Sequence, residues 1–187
     1  MESTSPSPGS SAADTPRRTA LFIGRFQPFH LGHLEIVREA LASHDHLFLI
    51  IGSAQAKDED INPYALEERK AMIQTVLEHE GISPKVTIIG VEDIHNDQEW
   101  VRHVLKHTPK ISTVFAGQNR LTKRLFSEAG FPVVVSPLFR NITATEVRRR
   151  MLQGMRWHHL VPEDIVTFLE KRASGKGPAA EKSARRA

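Results

Sequence analysis

Residues 19–33, TALFIGRFQPFHLGH, contain the clearest indication of the fold of this chain. The first six residues form a mostly apolar run that ends in glycine, which is typical of a strand buried on both faces of a parallel sheet. Directly after the stretch, Leu34, Val37 and Leu41 have the spacing of a helical apolar stripe. A strand that leads through a short turn into a helix is the repeating unit of an alternating α/β fold.

The same alternation continues along the chain. We predict further strands at residues 46–52, 85–91, 112–116 and 132–135, where Val, Ile, Leu and Phe dominate. Between and after them, a stripe of Ile73, Val76 and Leu77 predicts one helix, and others are predicted at 98–107, 121–129, 145–153 and 162–171. The pattern predicts an α/β fold with a doubly wound, parallel five-stranded sheet and right-handed crossovers. Ligands of such sheets bind outside the carboxyl ends of the strands.

Composition indicates one globular domain between two polar tails. Of 187 residues, 40% are hydrophobic and 25% are charged, close to the globular average. Residues 1–19 are rich in Ser and Pro, and residues 174–187 carry Gly and Pro breakers, so we predict two disordered tails around a folded domain at 20–173. There is no Cys, which excludes disulfides, thiolate zinc sites and cysteine nucleophiles. No apolar run is long enough for a membrane span or a secretory signal, so we expect a cytoplasmic protein without a membrane partner.

The distribution of charge argues against nucleic-acid binding. The net charge is +3, but residues 171–187 contribute +5 and residues 1–19 are neutral, which leaves −2 on residues 20–170. A nucleic-acid-binding domain is expected to present a basic face. We therefore expect no nucleic-acid partner, and a basic nucleic-acid binder is the disfavoured alternative function.

Two histidines at the predicted start of the first helix suggest a phosphate site. His30 and His33 are three residues apart and share one face of the first helical turn. Gly32 allows a ligand to approach the backbone, the N–H groups at the helix start favour an anion, and Arg25 adds a fixed positive charge. These residues predict a polyphosphate site that needs no covalent nucleophile. A helix cap or core packing is the alternative, and no spacing supports a metal site.

A second motif starts a later helix. Residues 143–146, TATE, have the pattern of a capping box with Thr143 as N-cap and Glu146 three positions on. The helix carries Arg148, Arg149 and Arg150, which point about 100° apart, so at most one or two of them can face one ligand. From the pattern alone, a capped surface helix with solvated arginines is the more frequent interpretation.

The motifs together resemble one enzyme family. The string GRFQPFHLGH is similar to the H-x-G-H signature of nucleotidylyltransferases, and more closely to the opening of the archaeal-type nicotinamide mononucleotide (NMN) adenylyltransferases. The similarity continues, in family order, at IGSAQ (51–55), NPY and ER (62–64 and 68–69), DI (93–94), Trp100, TATEVRRRM (143–151), Trp157 and HLVP (159–162). This resemblance implies a Rossmann-like nucleotidylyltransferase fold.

The activity implied by the resemblance is ATP + NMN → NAD + pyrophosphate, by direct in-line attack of the NMN phosphate on the α-phosphate of ATP. Mg²⁺ would be carried mainly by the ATP phosphates, and the family suggests a homo-oligomer. The alternatives are the same transfer to nicotinic acid mononucleotide, phosphopantetheine or flavin mononucleotide, or a catalytically silent nucleotide-binding regulator.

The resemblance also implies roles for individual residues, and no metal ligand is among them. Expected catalytic residues are His30, His33, Arg25 and Arg148, whereas Arg149 and Arg150 are expected to form salt bridges or interfaces. Expected ATP- and phosphate-binding residues are Gly24, Phe26, Gln27, Gly32, Gly117, Asn119, Thr143 and Thr145, with Gln118 as the alternative to Asn119. Expected NMN-binding residues are Trp100, Asn96 or Asp97, and, from their place after the second strand, Ser53 and Gln55.

Trp100, Ser53 and Gln55 have structural alternatives, and a further residue, Arg69, has two possible roles. A helical Trp100 can equally be a core residue. Ser53 and Gln55 can serve a turn. Arg69 can reach a phosphate or form an exposed pair with a nearby Glu.

Overall fold

The computed structural model describes residues 18–56, 61–94, 96–108 and 110–175. Five strands form one parallel sheet in the order β3-β2-β1-β4-β5. Their bounds are β1 Thr19–Gly24, β2 His46–Ile51, β3 Val86–Gly90, β4 Thr113–Phe115 and β5 Val133–Val134. The predicted fold class is confirmed.

Six α-helices accompany the strands within the described residues. They are α1 Leu31–Ser43, α2 Leu66–His79, α3 Asp97–Leu105, α4 Arg120–Glu128, α5 Ala144–Leu152 and α6 Glu163–Ala173. Short 3₁₀ turns lie at Ser83–Lys85, Phe139–Asn141 and His158–Leu160. In the part of the chain that is described, no helix has the length and apolar character needed to cross a membrane.

The predicted domain limits need one correction. Thr19 lies in β1, and its hydroxyl donates to the Lys110 carbonyl, so the predicted N-terminal tail cannot include it. Residues 1–17 and 176–187, most of the two predicted tails, lie outside the described residues.

Successive residues of the central strands enter different hydrophobic clusters. Phe22 and Leu49 belong to one cluster, with residues of α1, α2, α5 and α6, whereas Leu21 and Ile50 belong to the other, with residues of α3 and α4. Because side chains alternate between the two faces of a strand, the sheet is covered on both faces. This explains why the strands appear in the sequence as continuous apolar runs rather than alternating ones.

The strand order places a switch point beside β1. The chain moves from β1 outward to β2 and β3, then returns to the other side of β1 for β4. The loops that leave the carboxyl ends of β1 and β4 therefore run apart and leave a crevice between them, which is where open α/β sheets bind ligands.

The turn after β1 is fixed by an aromatic side chain. Phe26 has a left-handed backbone with φ of 53°, and its buried ring packs edge-on against Phe22 at 5.4 Å between centroids. A Cβ on Gly24 would meet the Phe26 ring at 2.7 Å. Glycine is thus required here because the ring turns back over the end of the strand.

We expect Gly24→Ala to lower the free energy of unfolding by about 1–3 kcal/mol, since the added methyl group displaces a packed ring. Gly52 follows the neighbouring strand β2, but a Cβ there would have no heavy atom closer than 3.9 Å, so Gly52→Ala is the matched control. It should change stability by no more than about 1 kcal/mol. Urea unfolding of both variants tests this, and equal effects would contradict the packing argument.

Candidate active site

His30 and His33 cap the first helix through each other. The backbone N–H of His33 donates to Nδ1 of His30 at 3.3 Å, and the backbone N–H of His30 donates to Nδ1 of His33 at 3.2 Å. The two rings are stacked, with centroids 3.5 Å apart. Two histidines thus form a capping box, a device usually built from a Ser or Thr and a Glu or Gln.

The mutual cap determines where each ring carries its proton. A neutral imidazole whose Nδ1 accepts a hydrogen bond holds its proton on Nε2. Neither Nε2 has a partner among the described residues, so each ring keeps one N–H available for a ligand. Burial lowers the pKa of His30 to about 4, and burial together with the neighbouring His30 lowers the pKa of His33 well below its usual value. Without a ligand, both rings are neutral donors at pH 7.

Two arginines face the same space without acidic partners. Within the described residues, neither Arg25 nor Arg148 forms an ion pair, and Arg148 Nη1 donates to the Gln27 carbonyl at 2.6 Å. Partial burial and, second, the charge of Arg25 hold the pKa of Arg148 below its usual range, against a smaller opposing effect of Tyr64. Two like charges held close together favour the arrival of an anion.

The other two arginines of α5 share one carboxylate. Arg149 Nη2 and Arg150 Nε donate to Glu146 Oε1 at 2.8 and 2.7 Å, as expected for salt-bridge residues. The hydrogen bonds from Arg149 and then Arg150 lower the pKa of Glu146 to about 2. Thr143 caps the helix through the backbone N–H of Glu146 at 3.1 Å, but the Glu146 carboxylate turns to the arginines. Only the Thr143 half of the predicted capping box is therefore formed.

These groups meet in a cleft of about 510 Å³ at the switch point. No carboxylate is among the residues that line the cleft. All twelve residues expected in catalysis and ATP binding line it, namely Arg25, His30, His33, Arg148, Gly24, Phe26, Gln27, Gly32, Gly117, Asn119, Thr143 and Thr145. Their juxtaposition gives the cleft the chemistry of a polyphosphate site; their individual roles stay predictions.

Several of these side chains also have partners within the protein. The Phe26 ring is buried in the core. The Gln27 side-chain amide donates to the Tyr64 carbonyl at 2.9 Å and accepts from the Tyr64 N–H at 3.0 Å. Asn119 Oδ1 accepts from the Thr122 N–H at the start of α4, and Gln118 Nε2 donates to the Ser136 carbonyl. The Phe26 and Gln27 side chains thus help to build the turn, and the expected role of both residues in ATP binding stays a prediction.

The predicted NMN-binding residues lie outside the lining of this cleft. Ser53 and Gln55 bind Asp93: Ser53 Oγ donates to its Oδ2 at 2.5 Å, and Gln55 exchanges two hydrogen bonds with its backbone. These contacts agree with the turn role that was the alternative for both residues. They join the loops after β2 and β3 at the carboxyl edge.

At the start of α3, the residues expected to contact the nicotinamide have local partners. Asn96 Oδ1 accepts from the backbone N–H groups of Gln98 and Glu99, which leaves its amide NH₂ for a ligand. The Asp97 carboxylate pairs with Arg124 at 2.7 Å. Trp100 is partly buried and packs against the cluster of α3 and α4, so the core alternative for this residue has structural support.

Comparison with known proteins identifies the family. Residues 21–150 match the model of the cytidylyltransferase-like family. A nicotinamide-nucleotide adenylyltransferase of Methanosarcina mazei is 39% identical over 81% of this chain and 87% of its own length. One of Archaeoglobus fulgidus is 41% identical over 81% of this chain and 90% of its own length. The chain belongs to the nicotinamide-nucleotide adenylyltransferase family. The family predicted from the motifs is thus confirmed.

A solved structure of this family agrees with the fold. It is a bifunctional NMN adenylyltransferase/ADP-ribose pyrophosphatase of Francisella tularensis, complexed with AMP and a manganese ion. The TM-score is 0.65 and the identity 30%, over 78% of this chain. The chain spans 44% of the length of that protein.

Sequence reasoning missed two structural features of this family member. Arg69 was expected at a phosphate or in an exposed pair, but it is completely buried and binds only backbone carbonyls. Pro137, Leu138 and Phe139 form an apolar wall of the cleft in a segment between β5 and α5 that carried no motif. The only signal in the sequence was a short apolar stretch in a predicted loop.

The histidine pair, in which His30 is buried and His33 half-buried, predicts an acid-sensitive fold. As the pH falls below the ordinary value of 6.5, the unfolded chain protonates both histidines, whereas folded His30 stays neutral to about pH 4. The unfolded state then binds more protons, so stability decreases between pH 6.5 and 4. His30→Asn keeps a capping oxygen and removes the titrating ring. Between pH 7 and pH 5 the variant should therefore lose less unfolding free energy than the parent, by about 1–2 kcal/mol.

Urea unfolding at pH 7 and pH 5 measures the difference. His107 is exposed, and His107→Asn serves as the control that keeps the parental difference. An identical pH dependence in His30→Asn and the parent would contradict a neutral His30 in the folded protein.

Proposed function

We propose that this chain transfers the adenylyl group of ATP to NMN, giving NAD and pyrophosphate. The observation that carries the proposal is the cleft at the β1–β4 switch point, which is lined by two histidines with an available Nε2–H and by two arginines that form no ion pair within the described residues. The substrate assignment comes from the family. The nicotinamide-nucleotide adenylyltransferases compared above match this chain over nearly their whole length.

In this reaction an oxygen of the NMN 5′-phosphate attacks the α-phosphorus of ATP. The new P–O bond forms as the bond to pyrophosphate breaks, and the charge of the leaving group increases. His30 and His33 donate from Nε2 to non-bridging phosphate oxygens, while Arg25 and Arg148 supply fixed positive charge. Such transfers are promoted by alignment and electrostatic stabilisation, without a covalent intermediate.

The metal enters as part of the nucleotide substrate. In the described residues no group of three or more His, Asp or Glu side chains can hold a metal ion, and the lining of the cleft carries no carboxylate. These residues fit a magnesium–nucleotide complex, in which Mg²⁺ is coordinated by phosphate oxygens and water and offsets their charge. A cytoplasmic homo-oligomer is expected from composition and family alone.

The decisive experiment is an acceptor panel. The purified protein is incubated with Mg²⁺, ATP and one of NMN, nicotinic acid mononucleotide, flavin mononucleotide or phosphopantetheine, and pyrophosphate release is measured. The proposal expects the highest kcat/KM with NMN and NAD as the product. Greater activity with another acceptor would change the substrate, and ATP binding without turnover on any acceptor would favour a silent regulator.

Neighbouring arginines of α5 provide a matched test of the phosphate role. Arg148→Gln should lower kcat/KM by about 10²- to 10³-fold, because it removes a preorganised cation from the transferring phosphates. Arg149→Gln removes the same charge from the next residue, whose partner is Glu146 rather than the cleft, and should change kcat/KM by about twofold or less. Steady-state kinetics of both variants tests the assignment, which fails if the two losses are similar.

We also propose that Trp100 stacks on the nicotinamide ring of NMN. The indole gains a cation–π contribution from the charged pyridinium, so Trp100→Ala should raise the KM for NMN by about 5- to 30-fold. The KM for ATP should change by about twofold or less, because ATP is expected to bind in the other half of the site.

Trp157 is the second tryptophan of the chain and stacks on His158, so Trp157→Ala is the control for loss of an indole. A rise in both KM values for Trp100→Ala, or only a lower melting temperature, would show that Trp100 is a core residue.

A further inference from the structure

Arg69 is a buried cation that the mechanism above does not use. It lies on α2, completely buried, and donates from Nη1 to the carbonyls of Arg25 at 3.1 Å and Gly52 at 2.9 Å. Its Nη2 donates to the Ser53 carbonyl at 3.0 Å. Among the described residues no carboxylate forms an ion pair with it, and its Nε has no hydrogen-bond partner.

Stability alone is a poor explanation for such a residue. Burial lowers the pKa of Arg69, against a smaller opposing effect of Asp93, which shows that the environment disfavours the charge. Apolar side chains of similar volume often replace buried ionic groups without loss of stability. A buried guanidinium held by three carbonyls therefore indicates a requirement for the position of those carbonyls.

The three carbonyls flank two strained residues. The Arg25 carbonyl belongs to the peptide that enters Phe26, which has φ of 53°. The carbonyls of Gly52 and Ser53 lie on either side of Ser53, which has φ of 51°. Non-glycine residues persist in this left-handed region only where the surrounding structure holds them, and such sites cluster at functional positions.

Ser53 is also held from its other side. Its N–H donates to Asp93 Oδ1 at 3.1 Å and its hydroxyl to Oδ2, while Arg69 binds its carbonyl. One guanidinium thus connects three segments: the turn of Arg25 in the phosphate cleft, the turn after β2, and, through Ser53, the loop of Asp93 after β3.

We propose that Arg69 is a positioning residue that sets the spacing between the phosphate-binding turn at Arg25 and the turn at Ser53, and thereby aligns the two substrates. The inference rests on the proposed adenylyl transfer, in which ATP and the acceptor approach this edge from different strands. In-line attack is sensitive to alignment, and a misplacement of about 1 Å can lower the rate about 100-fold. Loss of Arg69 therefore acts on kcat more than on the binding of either substrate.

The test compares two variants of buried residues on α2. Arg69→Met keeps the length of the side chain and removes its donors, whereas Met72→Ala leaves a core cavity and touches none of the three carbonyls. We expect kcat of Arg69→Met to fall about 10- to 100-fold, with the KM values for ATP and NMN within about threefold of the parent. Met72→Ala should have a lower melting temperature and a kcat within about twofold of the parent.

Both variants are measured well below their melting temperatures and normalised to folded protein. Arg69→Lys keeps a donor that reaches only part of the carbonyl set, so its kcat should lie between the parent and Arg69→Met. If Arg69→Met does not fold, Arg69→Lys carries the test alone. Parental kcat in the folded Arg69 variants, or an equal loss of kcat in Met72→Ala, would overturn the proposal.

A double-mutant cycle tests the route through Arg25. If Arg69 acts by placing the Arg25 turn, Arg69→Met should lower kcat less in an Arg25→Ala background than in the parent. Fully independent effects would overturn this route. The parent protein is assayed alongside with ATP and NMN: its inactivity would refute the proposed function, whereas an active parent with unaffected Arg69 variants would refute only the positioning role.

Discussion

A helix that begins at the edge of a buried sheet must satisfy its first backbone N–H groups, and in this chain two histidines do so for each other. Each ring uses Nδ1 for the cap, which leaves Nε2–H as the only remaining polar group of that ring. One pair of hydrogen bonds therefore starts α1, selects the tautomer of both rings and gives the cleft two donors. The rings of Phe26 and Phe29 pack against the His33 ring, with centroid distances of 4.8 and 5.5 Å, and cover the inner face of the pair with apolar surface.

The charged side chains that line the cleft are all cationic. Arg149 and Arg150 both form ion pairs with Glu146, while Arg148, between Val147 and Arg149 in sequence, has no acidic partner among the described residues. The helical turn of about 100° per residue separates them onto different faces. The cleft thus holds cations and neutral imidazoles together, which is the charge that the proposed binding of a polyphosphate requires.

The sequence predicts those parts of the molecule that depend on local patterns. Strands were recognisable because both faces of the sheet are covered, and the H-x-G-H pair because a helix start puts both rings on one face. Arg69 could not be placed, because its partners are three backbone carbonyls from two distant turns, and no periodicity encodes them. Asn96 has a local role that its position in the sequence did not reveal: its carbonyl oxygen is the N-cap of α3, a position at which asparagine is strongly preferred, while its amide NH₂ stays available for a ligand.

The position of Arg148 depends on residues far along the chain. Its guanidinium binds the Gln27 carbonyl, and the Gln27 side chain is fixed in both directions by the Tyr64 backbone. Arg172 of α6 lies over the Tyr64 ring at 5.2 Å and donates to Glu68 and to the Pro63 carbonyl. Arg172 was counted with the basic end of the chain, yet it is bound within the folded domain. A contact network thus runs from the last helix, through the segment before α2, to the phosphate cleft, and ties the geometry of the site to the packing of α6.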